Sequence, residues 1–322
     1  MPAHPTQRHS ILLLEPIHAD ALQLLQSVGD VILAESLDQA YIEQAVAEAD
    51  ALVTRGLGQV PAAILEAGQK LRCVARCGVG TDNIDVAAAT ELGLPVLYAP
   101  GSTTHAVAEH TMLLMLAVLR RLVRFDREVK TGNWMYRQSS GLTAELYSKT
   151  LGIVGLGEIG QRVAELGQAF GMRVIYWSRS SRDRRFEYVE LPELLRVADV
   201  VSIHVELTPE TQGLINRDAL DLMKPSAILI NTARGEVVDE RALYEVLKSG
   251  KLSGAGIDVI DTHSPLAGNP LWELENLVVT PHMAALTDTT FREMCMMPVQ
   301  QVVRILRGEW PDAKYVKNPQ VL

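Results

Sequence analysis

Short apolar runs alternate with longer amphipathic stretches along almost the whole chain. Residues 11–14, 31–33, 51–54, 72–76 and 96–98 are β-rich and apolar, the pattern of buried strands. Between them, 19–26 and 37–49 carry apolar positions at helical spacing. Residues 104–131 read as a single long helix, apolar at Val107, Leu113, Leu114, Leu116, Ala117 and Leu119. The second half repeats the alternation, with strands predicted at 151–154, 173–177, 200–204, 227–231, 255–258 and 278–280. Asp239 is an N-cap, Leu243, Val246 and Leu247 form the face of the helix it starts, and Gly250 ends that helix. A last helix is predicted at 288–307, where Met294, Met296 and Met297 fill core gaps. Strands separated by helices imply parallel sheets covered on both faces. The fold class is therefore α/β, with doubly wound parallel sheets.

In such sheets ligands bind at the carboxyl ends of the strands, so the residues just after each strand carry most weight. After the strand at 151–154 comes Gly155-Leu156-Gly157-Glu158-Ile159-Gly160, then a helix expected to bury Ile159, Val163, Leu166 and Phe170. Glycines at these three positions allow a tight turn, the approach of a pyrophosphate to bare backbone, and close packing of helix on strand. A Gly-x-Gly-x-x-Gly turn alone is weak, but between a strand and a helix it reads as a dinucleotide site. The following strand ends at Trp177 in Ser178, Arg179, Ser180 and Ser181, where an NAD site carries an acidic residue for the ribose 2′-OH. A carboxylate would repel a 2′-phosphate, whereas Arg179 can pair with one and the serines can donate to it. NADP is favoured as the cofactor. The alternative is NAD, with Arg179, Arg182, Arg184 and Arg185 forming a solvated basic loop.

The chain has 322 residues, 48% of them hydrophobic, enough for two domains. Its net charge of −9 gives no reason to expect nucleic acid. No apolar run is long enough to span a bilayer, and the N-terminus lacks the form of a signal peptide, so no membrane partner is expected and the cytoplasm is the default location. Cys73, Cys77 and Cys295 are odd in number and lack metal-ligand spacing, so they read as reduced, Cys77 most simply as packing. No metal is expected.

Four motifs resemble one family, the D-isomer-specific 2-hydroxyacid dehydrogenases, over nearly the whole chain. They are Arg76-Cys77-Gly78-Val79-Gly80-Thr81-Asp82-Asn83-Ile84-Asp85, the glycine turn at 155–160, Asn231-Thr232-Ala233-Arg234-Gly235-Glu236 with Asp258-Val259 beyond it, and Thr280-Pro281-His282. The resemblance implies a flavodoxin-like substrate domain of residues 1–102 and 289–322, and a Rossmann dinucleotide-binding domain of residues 103–288. It implies an oxidoreductase that moves a hydride between a nicotinamide cofactor and a small 2-oxo or 2-hydroxy acid of the glyoxylate, hydroxypyruvate or phosphoglycerate type.

Such a reaction needs a cation on the carbonyl oxygen, a proton donor beside it and anchors for the neighbouring carboxylate. Arg234 supplies a permanent, forked charge, and His282 is the acid in reduction and the base in oxidation. By resemblance, the N–H groups of the loop at Gly78, Val79 and Gly80 hold the carboxylate, and Asp258 lies near the nicotinamide carboxamide, strand-end capping being its alternative role. Thr208, Thr232 and Ala233 join Gly155, Gly157, Glu158, Ile159, Gly160, Ser178, Arg179 and Ser180 as expected cofactor contacts. Asp82, Asn83 and Asp85 are expected to shape their loop, and His110 and His204 to be structural or to line the cofactor. Arg55 resembles an arginine that faces the far end of the substrate, and Arg76 precedes the glycine loop; surface ion pairing is the alternative for both. Trp134 matches a segment that packs between subunits in glyoxylate and hydroxypyruvate reductases, so a homodimer is expected.

One departure stands out. The family pairs its histidine with a glutamate 29 residues after the arginine and five after the strand-end aspartate, and both counts land on His263. An imidazole cannot stabilise a second positive charge as a carboxylate does, so His282 should be a stronger acid here. A solvent-facing His263 is the other possibility, and Asp261 is a candidate substitute for the carboxylate. A reading from a different class is a non-catalytic, dinucleotide-sensing regulatory protein of the same family.

Overall fold

A computed structural model describes residues 8–261 and 267–322. The chain divides into two compact units, Met1–Thr103 with Leu286–Leu322, and Thr104–Ala285. Each has its own parallel sheet.

The first unit alternates β1 (His9–Leu13), α1 (Ala19–Gln26), β2 (Gly29–Leu33), α2 (Gln39–Val46), β3 (Ala51–Thr54), α3 (Ala62–Ala67), β4 (Cys73–Arg76), α4 (Val86–Glu91) and β5 (Val96–Leu97). The strand order is β2-β1-β3-β4-β5, a flavodoxin-like arrangement whose direction of winding reverses between β1 and β3. β3 is buried at all four positions, which is why it reads as a continuous Ala-Leu-Val-Thr run rather than an alternating one. The long helix Asp288–Leu306 returns from the far end of the sequence and packs Met294, Cys295, Val299 and Val302 onto the same core as Ile11, Val53, Cys73 and Ala75. It accommodates Pro298 in its interior. The helix expected over 37–49 is shorter, because Asp38 caps it through the N–H groups of Ala40 and Tyr41.

The second unit runs α5 (Thr104–Leu119), α6 (Leu122–Lys130), β6 (Thr150–Val154), α7 (Glu158–Ala169), β7 (Arg173–Trp177), β8 (Glu187–Tyr188), α8 (Leu191–Val197), β9 (Val200–Ile203), α9 (Arg217–Leu222), β10 (Ile228–Asn231), α10 (Glu240–Lys248), β11 (Gly254–Ile257) and β12 (Leu277–Val279). The order β12-β11-β10-β9-β6-β7-β8 is that of a Rossmann sheet, with its reversal between β6 and β9.

Two local readings are corrected. The single helix expected over 104–131 is two helices, broken at Arg121, which takes a left-handed backbone (φ 49°) and whose guanidinium caps the carbonyl of Ser140. Phe170 is not buried with Val163: it is the residue at which α7 ends and is half exposed, while Gly160, Val163, Ala164 and Gly167 make the packed face. A side chain at Gly167 would meet Leu151 Cδ2 at 2.6 Å, so small residues bring α7 close to β6. The Asp239 cap and the Leu243, Val246 and Leu247 face of α10 form as read from the sequence. Among the described residues no helix is long and apolar enough to cross a membrane.

Candidate active site

In the second unit the loops at the carboxyl edge gather most of the residues singled out above. Gly155 leaves β6 with φ 99°, its N–H donating to the carbonyl of Trp177 at 2.8 Å. A Cβ there would lie 2.6 Å from the carbonyl oxygen of His204, at the edge of the neighbouring β9. Gly160 is closed from the other side, since its Cβ would stand 2.1 Å from the Gly155 oxygen. Gly157 differs: a Cβ on it would meet nothing within 4 Å. It is the N-cap of α7, and among the described residues no side chain caps that helix, so its first N–H groups have no side-chain acceptor. Packed glycines on both sides of one bare glycine at an uncapped helix start fit a dinucleotide pyrophosphate.

At the end of β7 stand the residues expected to meet the adenosine ribose. Ser178 is buried and its Oγ accepts the N–H of Ser181 at 3.2 Å, while Arg179 and Ser180 are exposed. Arg179 faces Glu210 at 3.5 Å, a pair exposed to solvent on both sides. Two other arginines of this loop hold the loop itself. Arg182 lies over the Tyr188 ring at 4.1 Å and donates to the carbonyls of Ser178 and Ser181, and Arg185 is bound by Asp183, Glu165 and Gln161. Thr208 donates its N–H to Thr211 in the loop after β9.

Arg234 follows β10, Asp258 follows β11 and His282 follows β12, three adjacent parallel strands. Backbone bonds tie these loops in sequence, from Asp258 N–H to the Asn231 carbonyl (2.9 Å) and from His282 N–H to the Asp258 carbonyl (2.8 Å). Strands two apart lie about 10 Å from one another at the backbone, a distance two long side chains can close over one small molecule. Asn231 shapes the arginine loop, accepting from Ala233 N–H and donating to the Arg234 carbonyl. Gly235 is locked in place, because a Cβ there would sit 1.9 Å from the Ile260 carbonyl carbon. Thr232 is held by Thr111 of α5 at 3.0 Å.

Asp258 is 1% exposed and its carboxylate builds the histidine turn, accepting from Thr280 Oγ1 and from the N–H groups of Met283 and Ala284 at 2.9 Å each. His110 of α5 completes this group through Thr280 Oγ1 at 2.9 Å. His282 itself has φ 56°, an uncommon backbone for a side chain other than glycine. Asp258 thus fills the capping role that sequence offered as its alternative; its partners are Thr280, which sequence placed in the histidine motif without assigning it a contact, and His110, which sequence expected to be structural or to line the cofactor. His204 is half-buried, bonds Ser202 Oγ at 2.8 Å, and desolvation lowers its pKa to about 3, so it is a neutral ring. His263, with its proposed link to His282, lies outside the described residues.

In the first unit Arg55 follows β3 and Arg76 ends β4. The Arg55 guanidinium lies 5.5 Å from the centre of the Phe291 ring. That of Arg76 folds over the glycine loop, where a Cβ at Gly78 (φ 156°) would collide with Nη1. Among the described residues no acceptor takes the N–H of Val79 or Gly80, which leaves two amides for a carboxylate. Asp85 caps α4 through Ala88 N–H, and Asn83 donates to the Gly58 carbonyl, the loop-shaping roles expected of them. Cys77 and Cys295 share a hydrogen bond in the core, and that bond with burial pushes the Cys77 thiol up, so it packs rather than reacts. Among the described residues no group of His, Cys, Asp and Glu is arranged to hold a metal.

Comparison with known proteins gives this geometry a family. Residues 112–284 match the family described as "D-isomer specific 2-hydroxyacid dehydrogenase, NAD binding domain". The chain is 40% identical over 319 residues to a glyoxylate reductase of Aeropyrum pernix, covering 95% of each. It is 40% identical over 305 residues to a D-3-phosphoglycerate dehydrogenase of Methanocaldococcus jannaschii, 93% of this chain but 58% of that one, so it spans little more than half of that relative. An NADPH-dependent glyoxylate/hydroxypyruvate reductase of Sinorhizobium meliloti, solved with NADP and malonate, superposes with a TM-score of 0.86 at 29% identity, covering 92% of this chain and 93% of that one.

Proposed function

The chain belongs to the D-isomer-specific 2-hydroxyacid dehydrogenase family, and from that premise we propose that it is an NADP(H)-preferring reductase of a small 2-oxo acid. The observation that carries the reading is the succession Arg234, Asp258, His282 at the ends of three adjacent strands, on the same sheet edge as the bare Gly157 turn.

A nicotinamide, when bound, supplies the hydride. The chain's own groups do the rest. Gly155, Gly157, Glu158, Ile159 and Gly160 hold the pyrophosphate through backbone; Ser178, Arg179 and Ser180 take the 2′-phosphate; Thr208, Thr232, Ala233 and Asp258 line the remainder, Asp258 beside the carboxamide. Arg234 polarises the 2-oxo oxygen and forks onto the adjacent carboxylate, and charge stabilisation of this kind is often the largest single contribution to rate. His282 gives the proton to the same oxygen and takes it back in the reverse direction. In the first unit the Val79 and Gly80 amides bind the substrate carboxylate, and Arg55 and Arg76 meet its far end. The subunits pair as a homodimer.

The cofactor preference rests on Ser178. NADPH should exceed NADH in kcat/KM by at least tenfold with glyoxylate, hydroxypyruvate or phosphohydroxypyruvate, and Ser178→Asp should reverse the order by repelling the 2′-phosphate. Equal use of the two cofactors overturns the NADP assignment. Tight NADPH binding without turnover of any 2-oxo acid would instead make the protein a dinucleotide sensor.

A further inference from the structure

We propose that Glu15 is the positioning residue that aims Arg55 and so sets the preference for substrates with an anionic far end, an inference that rests on the substrate role assigned to Arg55 above. Glu15 follows β1 and is 3% exposed. Its carboxylate is met by four consecutive backbone amides of the loop after β3. Oε2 accepts from Arg55 and from Gly56 (2.8 Å), Oε1 from Leu57 and Gly58 (3.1 Å), and Gly56 also reaches Oε1 at 3.3 Å. Thr54 Oγ1 also reaches Oε2, at 3.4 Å, and among the described residues the carboxylate forms no ion pair, so amide and hydroxyl dipoles neutralise it.

Topology explains why this contact matters. β1 and β3 are neighbours in the sheet, and the winding reverses between them, the place where doubly wound sheets bind ligands. Glu15 therefore stands at that point and fastens the one loop that carries Arg55 into it. The backbone of Arg55 is held by the carboxylate at one end while its guanidinium rests on Phe291 at the other. Arg76 approaches the same loop from β4, its Nη2 lying 3.6 Å from where a Cβ of Gly56 would be. Two guanidinium groups thus face one loop whose shape is dictated by a single buried anion. Without it, four part-buried amides lose their acceptor, and a segment with glycines at 56 and 58 has many other conformations to occupy.

The test compares wild type, Glu15→Gln, Glu15→Asp and Arg55→Ala in the full chain with NADPH, using glyoxylate, which has no far end, and phosphohydroxypyruvate, which has an anionic one. Hydrogen exchange of the 55–58 amides is read in parallel. Glu15→Gln keeps the shape but turns an NH2 toward N–H donors. It should raise KM for phosphohydroxypyruvate at least tenfold, leave kcat/KM for glyoxylate within threefold, and speed exchange at 55–58 at least tenfold. Glu15→Asp, which keeps the charge, should recover part of each effect. Equal losses with both substrates, or unchanged exchange at 55–58 with an unchanged substrate ratio, overturn the proposal. If Arg55→Ala shifts the ratio and Glu15→Gln does not, the Glu15 inference fails while the Arg55 reading stands; if Arg55→Ala leaves the ratio untouched, the Arg55 reading itself fails.

Discussion

At the scale of single residues, two histidines show how surroundings divide one side-chain type into different tasks. His204 is half-buried and bonded to Ser202, with desolvation lowering its pKa to about 3, so folding excludes a proton that the unfolded chain accepts below 6.5. The sign follows: the stability contributed by the neutral ring is complete above pH 6.5 and is lost as pH falls from there toward 3. Denaturant unfolding at pH 7.5 and 5.5 should show wild type losing about 1.4 kcal/mol more than His204→Asn, and equal losses would remove the assignment. In the proposed reaction His282 has the opposite task, because it must hold a proton to give. With His263 standing where the family keeps a glutamate, reduction should fade at lower pH than in glutamate-bearing relatives, and His263→Glu should move the alkaline limb of the kcat/KM profile upward. A limb that does not move under that substitution would show that residue 263 does not act on His282.

At the scale of elements, the working parts are turns held by strands rather than strands or helices themselves. The turn bearing His282 closes on the Asp258 carboxylate, which gathers Thr280, Met283 and Ala284 at once. Removing it leaves the Met283 and Ala284 amides without their acceptor, at a cost of about 1–3 kcal/mol for the buried one at Ala284, and frees a histidine held at φ 56°. Asp258→Ala should therefore lower kcat about a hundredfold or more and also lower Tm. Asp258→Asn, which keeps one acceptor oxygen, should retain more of both. A variant with normal kcat would show that the turn holds without its anchor. The strands read from the sequence lie within two residues of those observed, β3 and the helix α1 having the bounds expected from apolar spacing alone, whereas the two-residue edge strand β8 was not read at all. The break between α5 and α6 was not, because the apolar pattern runs on through it and the left-handed Arg121 is held by Ser140 from a loop 19 residues away.

At the scale of the whole molecule, one surface of the second unit asks for a partner. α6 buries none of its residues, and beyond it Trp134 and Leu142 are 66% and 95% exposed. Apolar side chains gathered in this way are costly in water and mark association surfaces. Light scattering at micromolar concentration should give twice the chain mass, and Trp134→Ala combined with Leu142→Glu should shift the protein toward monomer. A monomeric wild type would end the dimer proposal and leave this surface without an assigned role.

The sequence by itself determined the alternation of strands and helices, the glycine turn, and the residue types at the strand ends, because each depends on local periodicity or on steric needs confined to a few neighbours. It marked Arg234, Asp258 and His282 but left open how Asp258 is used. Only the tertiary structure decided that its carboxylate anchors the histidine turn, that His110 and Thr280 support it, and that Glu15 binds a loop 40 residues away. Those contacts join elements adjacent in space but distant in the chain, so no window of sequence contains both partners.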